Sequence, residues 1–453
     1  MKVLLAAAEM SPLARTGGLG EAVAGLAAAL AGKGVEVGVA MPRYRHLLDL
    51  GEPVGPAGPA QLVYRHQQGE VTVLLVDDPP AFDREGIYGP VPGTGYADEW
   101  WRWGRFSRAV VAMVGAWDLL HVHDGHPGPA CLLAPVPSVI TVHNAGYAVM
   151  GPLVESATLL GVGLEHVIPQ GALEWWGSAH YLKAGIVGAD RVTTVSPGFA
   201  AQLYVDSAVS GGLDGVIRSL PHPVAGILNG IDTTVWDPAT DPSLPTTYGP
   251  RRAWKRSGNR ETLLDLAGLD DGFLLGNVGR MSAQKGIDLL DPTIDRLCNE
   301  GMRLVLVGNG ELDPLVDGWS AQHSTAVRHL PYDEQLARLV YGGADAYLMP
   351  SLFEPCGIGQ MYAMRYGCPP VVHLTGGLND TVVDLDEDPD AGMGFGFRLP
   401  IVEELAKSIR RAIRVSKRDR STWRAMQRRG MEHDWSWDAA ADRYLEVYRQ
   451  AMG

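Results

Sequence analysis

Apolar residues come in short bursts along this chain, and each burst is followed by a turn and then by helical spacing. Val3 to Ala8 is continuously apolar, so Lys2–Ala8 is predicted as a strand buried on both faces. Gly17-Gly18-Leu19-Gly20 then turns the chain, and Glu21 to Gly32 sets Ala22, Leu26 and Leu30 on one helical face. Val35–Met41 resumes as a strand, which completes a βαβ unit of the kind that builds doubly wound sheets. Further strands are predicted at Val71–Val76, Leu119–Val122, Ser138–Val142 and Arg191–Val195.

A second series begins near Phe273. It has strands at Leu274–Val278, Arg303–Val307, Ala346–Met349 and Pro370–His373, and helices at Ile287–Glu300 and Glu334–Tyr341. Asp, Pro, Thr and Gly cluster between Asn229 and Arg252, where the two halves join. The expected plan is α/β: an N-terminal Rossmann-like domain over 1–230, a C-terminal one over 231–430, and a closing helix over 431–453 that packs back on the first domain. Doubly wound sheets bind ligands beyond the carboxyl ends of their strands. The glycine turns of both halves are therefore expected to converge on a shared cleft.

The 453 residues suit two cores better than one. A formal net charge of -14 argues against nucleic acid as a partner, and requires that any anionic substrate be met by locally placed cations. The early apolar run is too short for a membrane span or a signal core. Cys131, Cys298, Cys356 and Cys368 are far apart, without metal-ligand spacing. These features point to a cytoplasmic protein with no membrane partner.

The chemistry concentrates in Ser351-Leu352-Phe353-Glu354-Pro355-Cys356-Gly357 and in Thr375-Gly376-Gly377-Leu378. Turns of this kind expose backbone N–H groups that can hold an anion. Glu354 would repel a phosphate and is instead suited to accept hydrogen bonds from sugar hydroxyls. Arg280 and Lys285, five positions apart after a strand, suit a diphosphate. Arg15 beside the first glycine turn offers another cation. His121, His123, Asp124 and His126 lie on and after a strand whose alternation sends neighbours to opposite faces, which favours a sugar-binding rim over a metal site. His143-Asn144 ends the next strand. The acidic run from Asp384 to Asp388 contains D-x-D, a possible metal motif, but reads better as a solvated loop.

Taken together these segments resemble the bacterial glycogen synthase and plant starch synthase family nearly end to end. The resemblance rests on Thr16-Gly17-Gly18-Leu19-Gly20, His121-Val122-His123-Asp124, Thr141-Val142-His143-Asn144, Leu182-Lys183-Ala184-Gly185-Ile186, Ile227-Leu228-Asn229-Gly230-Ile231-Asp232, Gln284-Lys285-Gly286, Phe353-Glu354-Pro355-Cys356-Gly357 and Thr375-Gly376-Gly377-Leu378. It implies a GT-B fold, with two doubly wound domains facing across a cleft and a C-terminal helix crossing back. It also implies a retaining transferase that moves glucose from a nucleoside-diphosphate sugar, ADP-glucose in the family, to the 4-hydroxyl of an α-1,4-glucan.

By position, the resemblance makes Arg280, Lys285, Glu354 and His143 the catalytic set. Arg15, Gly18, Asn229, Tyr332, Cys356, Gly357, Thr375, Gly376 and Gly377 fall on the donor side. Asp124, His126 and Glu21 fall on the acceptor side. No metal or other cofactor is implied, and the protein would act as a monomer or a homo-oligomer. A second glutamate, common eight positions after the first in related transferases, is replaced by Tyr362.

Several departures cluster around the expected cleft. Arg15 and Glu21 replace the family's Lys and Asp, Gly125 stands where a Trp follows the aspartate, and Leu352 replaces an Arg. They leave two alternatives beside glucan synthesis. One is a related glycosyl- or pseudoglycosyltransferase that joins an activated sugar or cyclitol to a small amino-sugar acceptor. The other is a non-catalytic sugar-nucleotide regulator, against which the joint retention of Arg280, Lys285 and Glu354 speaks.

Overall fold

The computed structural model describes residues 1–58, 61–91 and 94–453. The chain divides into two units, Met1–Gly230 with Trp437–Gly453, and Ile231–Ser436.

Among the described residues the first unit carries twelve strands: β1 (Lys2–Ala6), β2 (Glu36–Pro42), β3 (Glu52–Gly58), β4 (Gln61–Gln68), β5 (Val71–Asp77), β6 (Leu119–His123), β7 (Ser138–Val142), β8 (Met150–Pro152), β9 (Glu174–Trp175), β10 (Ser178–His180), β11 (Arg191–Thr194) and β12 (Ala225–Gly226). Nine form one sheet in the order β12-β11-β7-β6-β1-β2-β5-β4-β3, and β8-β10-β9 form a small separate sheet. The large sheet is parallel except where β4 runs antiparallel to β5 and β3 to β4. Val3, Leu4 and Leu5 of β1 are fully buried, as the unbroken apolar run requires of a strand covered on both faces.

The chain extends the sheet from β1 first through β2 and later, on the other side, through β6, so the order reverses between β1 and β6. That reversal marks where a ligand can enter beyond the carboxyl ends. The β3 strand, with Pro53 and Pro56, lies at the sheet's edge, a position that tolerates missing N–H donors.

The helix Asp438–Met452 completes this first unit, burying Tyr444 and Tyr448. The Tyr448 hydroxyl lies 2.8 Å from Nδ1 of His121 on β6. Trp437 lies against Gly25 of the helix Gly18–Gly32, where a Cβ would fall 2.0 Å from the indole Nε1. Alanine would add about 1 kcal/mol of helix propensity at an open site. Gly25→Ala is nevertheless expected to cost roughly 1–3 kcal/mol, because the indole must leave its packed position. Urea unfolding monitored by tryptophan fluorescence checks this; an unchanged midpoint would show that the indole moves aside freely.

The second unit carries β13 (Phe273–Val278), β14 (Met302–Val307), β15 (Val327–Leu330), β16 (Ala346–Met349), β17 (Pro370–His373) and β18 (Phe395–Phe397). All are parallel, in the order β15-β14-β13-β16-β17-β18. Counted within the unit this is the 3-2-1-4-5-6 order of dinucleotide-binding sheets, with its switch point between β13 and β16. Tyr362 is buried and stacks on Trp236 at 3.8 Å between ring centroids, so this position serves the core.

Two expectations change. The single helix expected over Ile287–Glu300 is a 3-10 turn over Ile287–Thr293 followed by the helix Ile294–Asn299. Pro292 has no N–H to sustain a continuous α-helix. The closing segment also divides later than residue 431. Residues 431–436 belong to the second unit, where the Trp435 carbonyl accepts from the Ile231 N–H at 2.8 Å and the Met431 carbonyl from Arg365 at 3.1 Å. Among the described residues no helix is long and apolar enough to cross a membrane.

Candidate active site

The β13–β16 switch point of the second unit gathers Cys356, Gly357, Thr375, Gly376 and Gly377 of the expected donor side, while Arg15, Gly18 and Asn229 lie in the first unit. The chain leaves β13 through Gly279 and Arg280 and returns to the sheet edge at Lys285-Gly286. Gly286 adopts φ +65, and a Cβ there would lie 2.2 Å from the Pro350 carbonyl oxygen just past β16. This close approach brings the two loops together, and the Leu352 N–H donates to the Gln284 carbonyl at 2.9 Å. Lys285 Nζ consequently reaches Glu354 Oε2 at 2.6 Å, and the Ser351 hydroxyl donates to the same oxygen at 3.0 Å. Glu354 is buried while Arg280 is exposed at the same edge.

The turn after Glu354 is fixed from behind. Gly357 adopts φ +71, and the Gln360 amide donates to the carbonyls of Cys356 and Gly357 at 3.1 and 3.0 Å. Gly377 packs onto the same turn: its N–H donates to the Glu354 carbonyl at 3.0 Å, and a Cβ would meet the Cys356 oxygen at 2.3 Å. Thr375, Gly376 and Gly377, distant in sequence from Glu354, therefore abut it at the ends of β16 and β17. Tyr332 follows β15, half exposed, with its N–H donating to Asn309 Oδ1 at 3.1 Å.

In the first unit, Asp124 ends β6 in a left-handed conformation (φ 61). Its Oδ1 accepts from the His143 N–H at 2.7 Å and from the Asn144 N–H at 3.4 Å, so it ties the ends of β6 and β7 together. Burial pushes its carboxyl up to about 7, against the opposing effect of those two N–H groups. His123 Nδ1 lies 2.9 Å from His143 Nε2. Burial also pushes His121, His126 and His143 down to about 3, which keeps the rings neutral.

His126 packs between Trp103 and Tyr88, with centroids 4.7 and 5.0 Å away, and its buried Nδ1 has no partner among the described residues. Gly125 beside it is tightly packed, since a Cβ would lie 3.0 Å from that of Leu182. Asn229, buried, lies in the loop after β12.

Arg15 and Glu21, two of the departures from the family pattern, pair with each other at 2.8 Å. Both longer side chains are thus explained as one change, in which a fork-shaped donor meets a carboxylate of matching reach. Gly18 opens the adjoining helix.

Sequence reasoning missed Glu9. It is buried just beyond β1, accepts from the Thr16 N–H at 2.5 Å and the Thr16 hydroxyl at 2.8 Å, and also bonds the Tyr88 hydroxyl. It thereby anchors the glycine turn. Its place directly after the first strand was the available signal. Asp384, in the acidic run, is bonded by Arg411 at 2.8 Å, and Arg411 also reaches Asp386 at 2.9 Å. Among the described residues no group of three or more His, Cys, Asp or Glu is arranged to hold a metal ion.

Comparison with known proteins identifies the family. The starch synthase catalytic domain profile matches residues 2–219, and that of glycosyl transferases group 1 matches residues 272–414. The chain is 40% identical to a glycogen synthase of Alkalilimnicola ehrlichii over 488 aligned residues, covering 100% of this chain and 99% of that one. It is 37% identical to a glycogen synthase of Moorella thermoacetica, covering 100% and 97%. The catalytic domain of starch synthase IV from Arabidopsis thaliana, solved bound to ADP and acarbose, superposes with a TM-score of 0.88 at 28% identity, covering 100% of this chain and 99% of that one. With its GT-B architecture and full-length identity to these enzymes, the chain belongs to the glycogen and starch synthase family of glycosyltransferases.

Proposed function

We propose that this enzyme transfers glucose, with retention, from ADP-glucose to the 4-hydroxyl at the non-reducing end of an α-1,4-glucan. The observation that carries the reading is the Lys285–Glu354–Ser351 constellation at the switch point, beside the exposed Arg280. Arg280 and Lys285 would take the charge that develops on the departing diphosphate, and preorganised charges of this kind are the largest single contribution available to such a reaction. Glu354 would hold the donor sugar's hydroxyls, Tyr332 would stack on the base, and the Cys356-Gly357 and Gly376-Gly377 backbone would line the sugar and phosphates. The ADP held by the Arabidopsis relative supports adenine as the base.

On the acceptor side the reading uses Asp124, His126 and Glu21, with Arg15, Gly18, His143 and Asn229 contacting the donor. The departing phosphate itself would accept the acceptor's proton, so no metal or organic cofactor is assigned. Four free, buried cysteines fit a reducing cytoplasm.

Incubation with ADP-glucose and glycogen tests the proposal. Chain extension with ADP release is the expected result. ADP-glucose consumption only with a small amino-sugar acceptor would favour the second reading, which rests on the tight packing of Gly125 where the family carries an indole.

A further inference from the structure

At the opposite end of the second unit's sheet lies a cavity of about 1390 Å³. Its floor includes Phe273, Gly301 and Asp345, which sit at the amino ends of β13, β14 and β16. The donor-side loops leave the carboxyl ends of β13 and β16, and the six residues of β13 separate the two edges by about 20 Å. Ligands of such sheets gather at the carboxyl edge. A large cavity at the amino edge is therefore not part of the site described above.

Its charge is opposite to that of the protein. Seven Lys and Arg residues line it against two carboxylates, on a chain of net charge -14. Both carboxylates, Asp271 and Asp345, are already bonded by Arg260, at 2.8 and 3.2 Å. The exposed side chains of Arg251, Lys417, Arg420 and Arg424 have no ion-pair or hydrogen-bond partner among the described residues. Arg420, Arg424 and Arg428 recur every four positions along the helix Arg420–Glu432. That spacing makes a row rising about 6 Å per step, roughly 12 Å in all. Trp254, which also lines the cavity, exposes 67% of its surface.

A single phosphate spans too little to engage such a row, whereas a chain of phosphates can meet several planar guanidinium forks at once. An exposed indole in the same lining offers a flat apolar surface to a planar ring. We propose that this cavity is a second, non-catalytic site for a nucleoside polyphosphate, with its phosphates along Arg420, Arg424 and Arg428 and its base on Trp254.

Calorimetric titration of the full chain with ATP tests this. A binding event is expected that survives Lys285→Ala and is weakened at least about tenfold by R420E/R424E, with R420Q/R424Q showing a smaller loss. These positions are exposed, so far-ultraviolet circular dichroism and glucan extension without ATP should match the parent enzyme. Trp254→Ala should weaken ATP binding about threefold to tenfold and leave inorganic tripolyphosphate binding unchanged. A hexose bisphosphate that binds as tightly as ATP would overturn the assignment of a base to Trp254. Full ATP binding in R420E/R424E, or no ATP uptake independent of Lys285, would overturn the site.

Discussion

Lys285→Ala is expected to lower kcat by about 10²–10³-fold, the range found when one preorganised charge or donor is removed from a developing oxyanion. The substitution also strips Glu354 of its 2.6 Å partner. A carboxylate left buried with only the Ser351 hydroxyl costs stability as well, on the order of 1–3 kcal/mol. The two effects separate in the double variant Lys285→Ala/Glu354→Gln. The neutral amide removes the unpaired charge, so the unfolding midpoint should recover while turnover stays low. Steady-state kinetics with ADP-glucose and glycogen, beside thermal unfolding of both variants, reads each effect. Turnover within a few-fold of the parent enzyme would show that Lys285 serves the fold alone.

The second large effect is acid lability of the first unit. His121, His126 and His143 are pushed down to about 3 by burial, and His123 is pushed well below its usual value by burial together with the neighbouring His121 and His143. Unfolded imidazoles titrate near 6.5. Between about pH 6.5 and 3 the unfolded chain thus binds protons that the folded unit refuses, and stability falls as pH falls. Asp124 opposes this: its carboxyl is raised to about 7, so the folded form takes up its proton first and gains stability as pH drops from 7 towards 3.8.

Burial pushes His180 of the same unit down to about 4 as well, so five imidazoles oppose one carboxyl. The net of four protons corresponds to a ceiling of about 5 kcal/mol per pH unit near pH 5. Thermal unfolding at pH 7, 6 and 5 should show a steep fall in the midpoint of the first unit. His126→Phe keeps a ring between Trp103 and Tyr88 and should reduce the steepness by about one proton's share. A flat profile over this range would mean that the rings admit protons without unfolding.

The sequence made the two sheets legible because their central strands are buried on both faces, which leaves runs such as Val3–Ala6 and Leu304–Val307 that no amphipathic helix would carry. The β3 strand was not legible: Glu52–Gly58 holds two prolines and two glycines, and only its place at the sheet's edge makes a strand possible. The break within Ile287–Asn299 could have been read from Pro292.

For the site, motif order brought out Arg280, Lys285 and Glu354, because each lies in the loop that follows a predicted strand. The pairing of Arg15 with Glu21 and the anchoring of Thr16 by Glu9 were hidden. Both depend on how the glycine turn folds back on itself, and Tyr88 joins Glu9 from 79 positions away.

The helix Asp438–Met452 belongs to the unit that begins with β1. In order of synthesis, therefore, every residue of the second unit precedes the last piece of the first. Until Tyr448 is in place, the face of β6 around His121 lacks its cover, and the helix Gly18–Gly32 has no Trp437 to receive. The first half of the chain to be synthesised is the last to be finished. It is thus the half that a chaperone would be expected to hold longest, and the half that loss of a few C-terminal turns would expose to degradation.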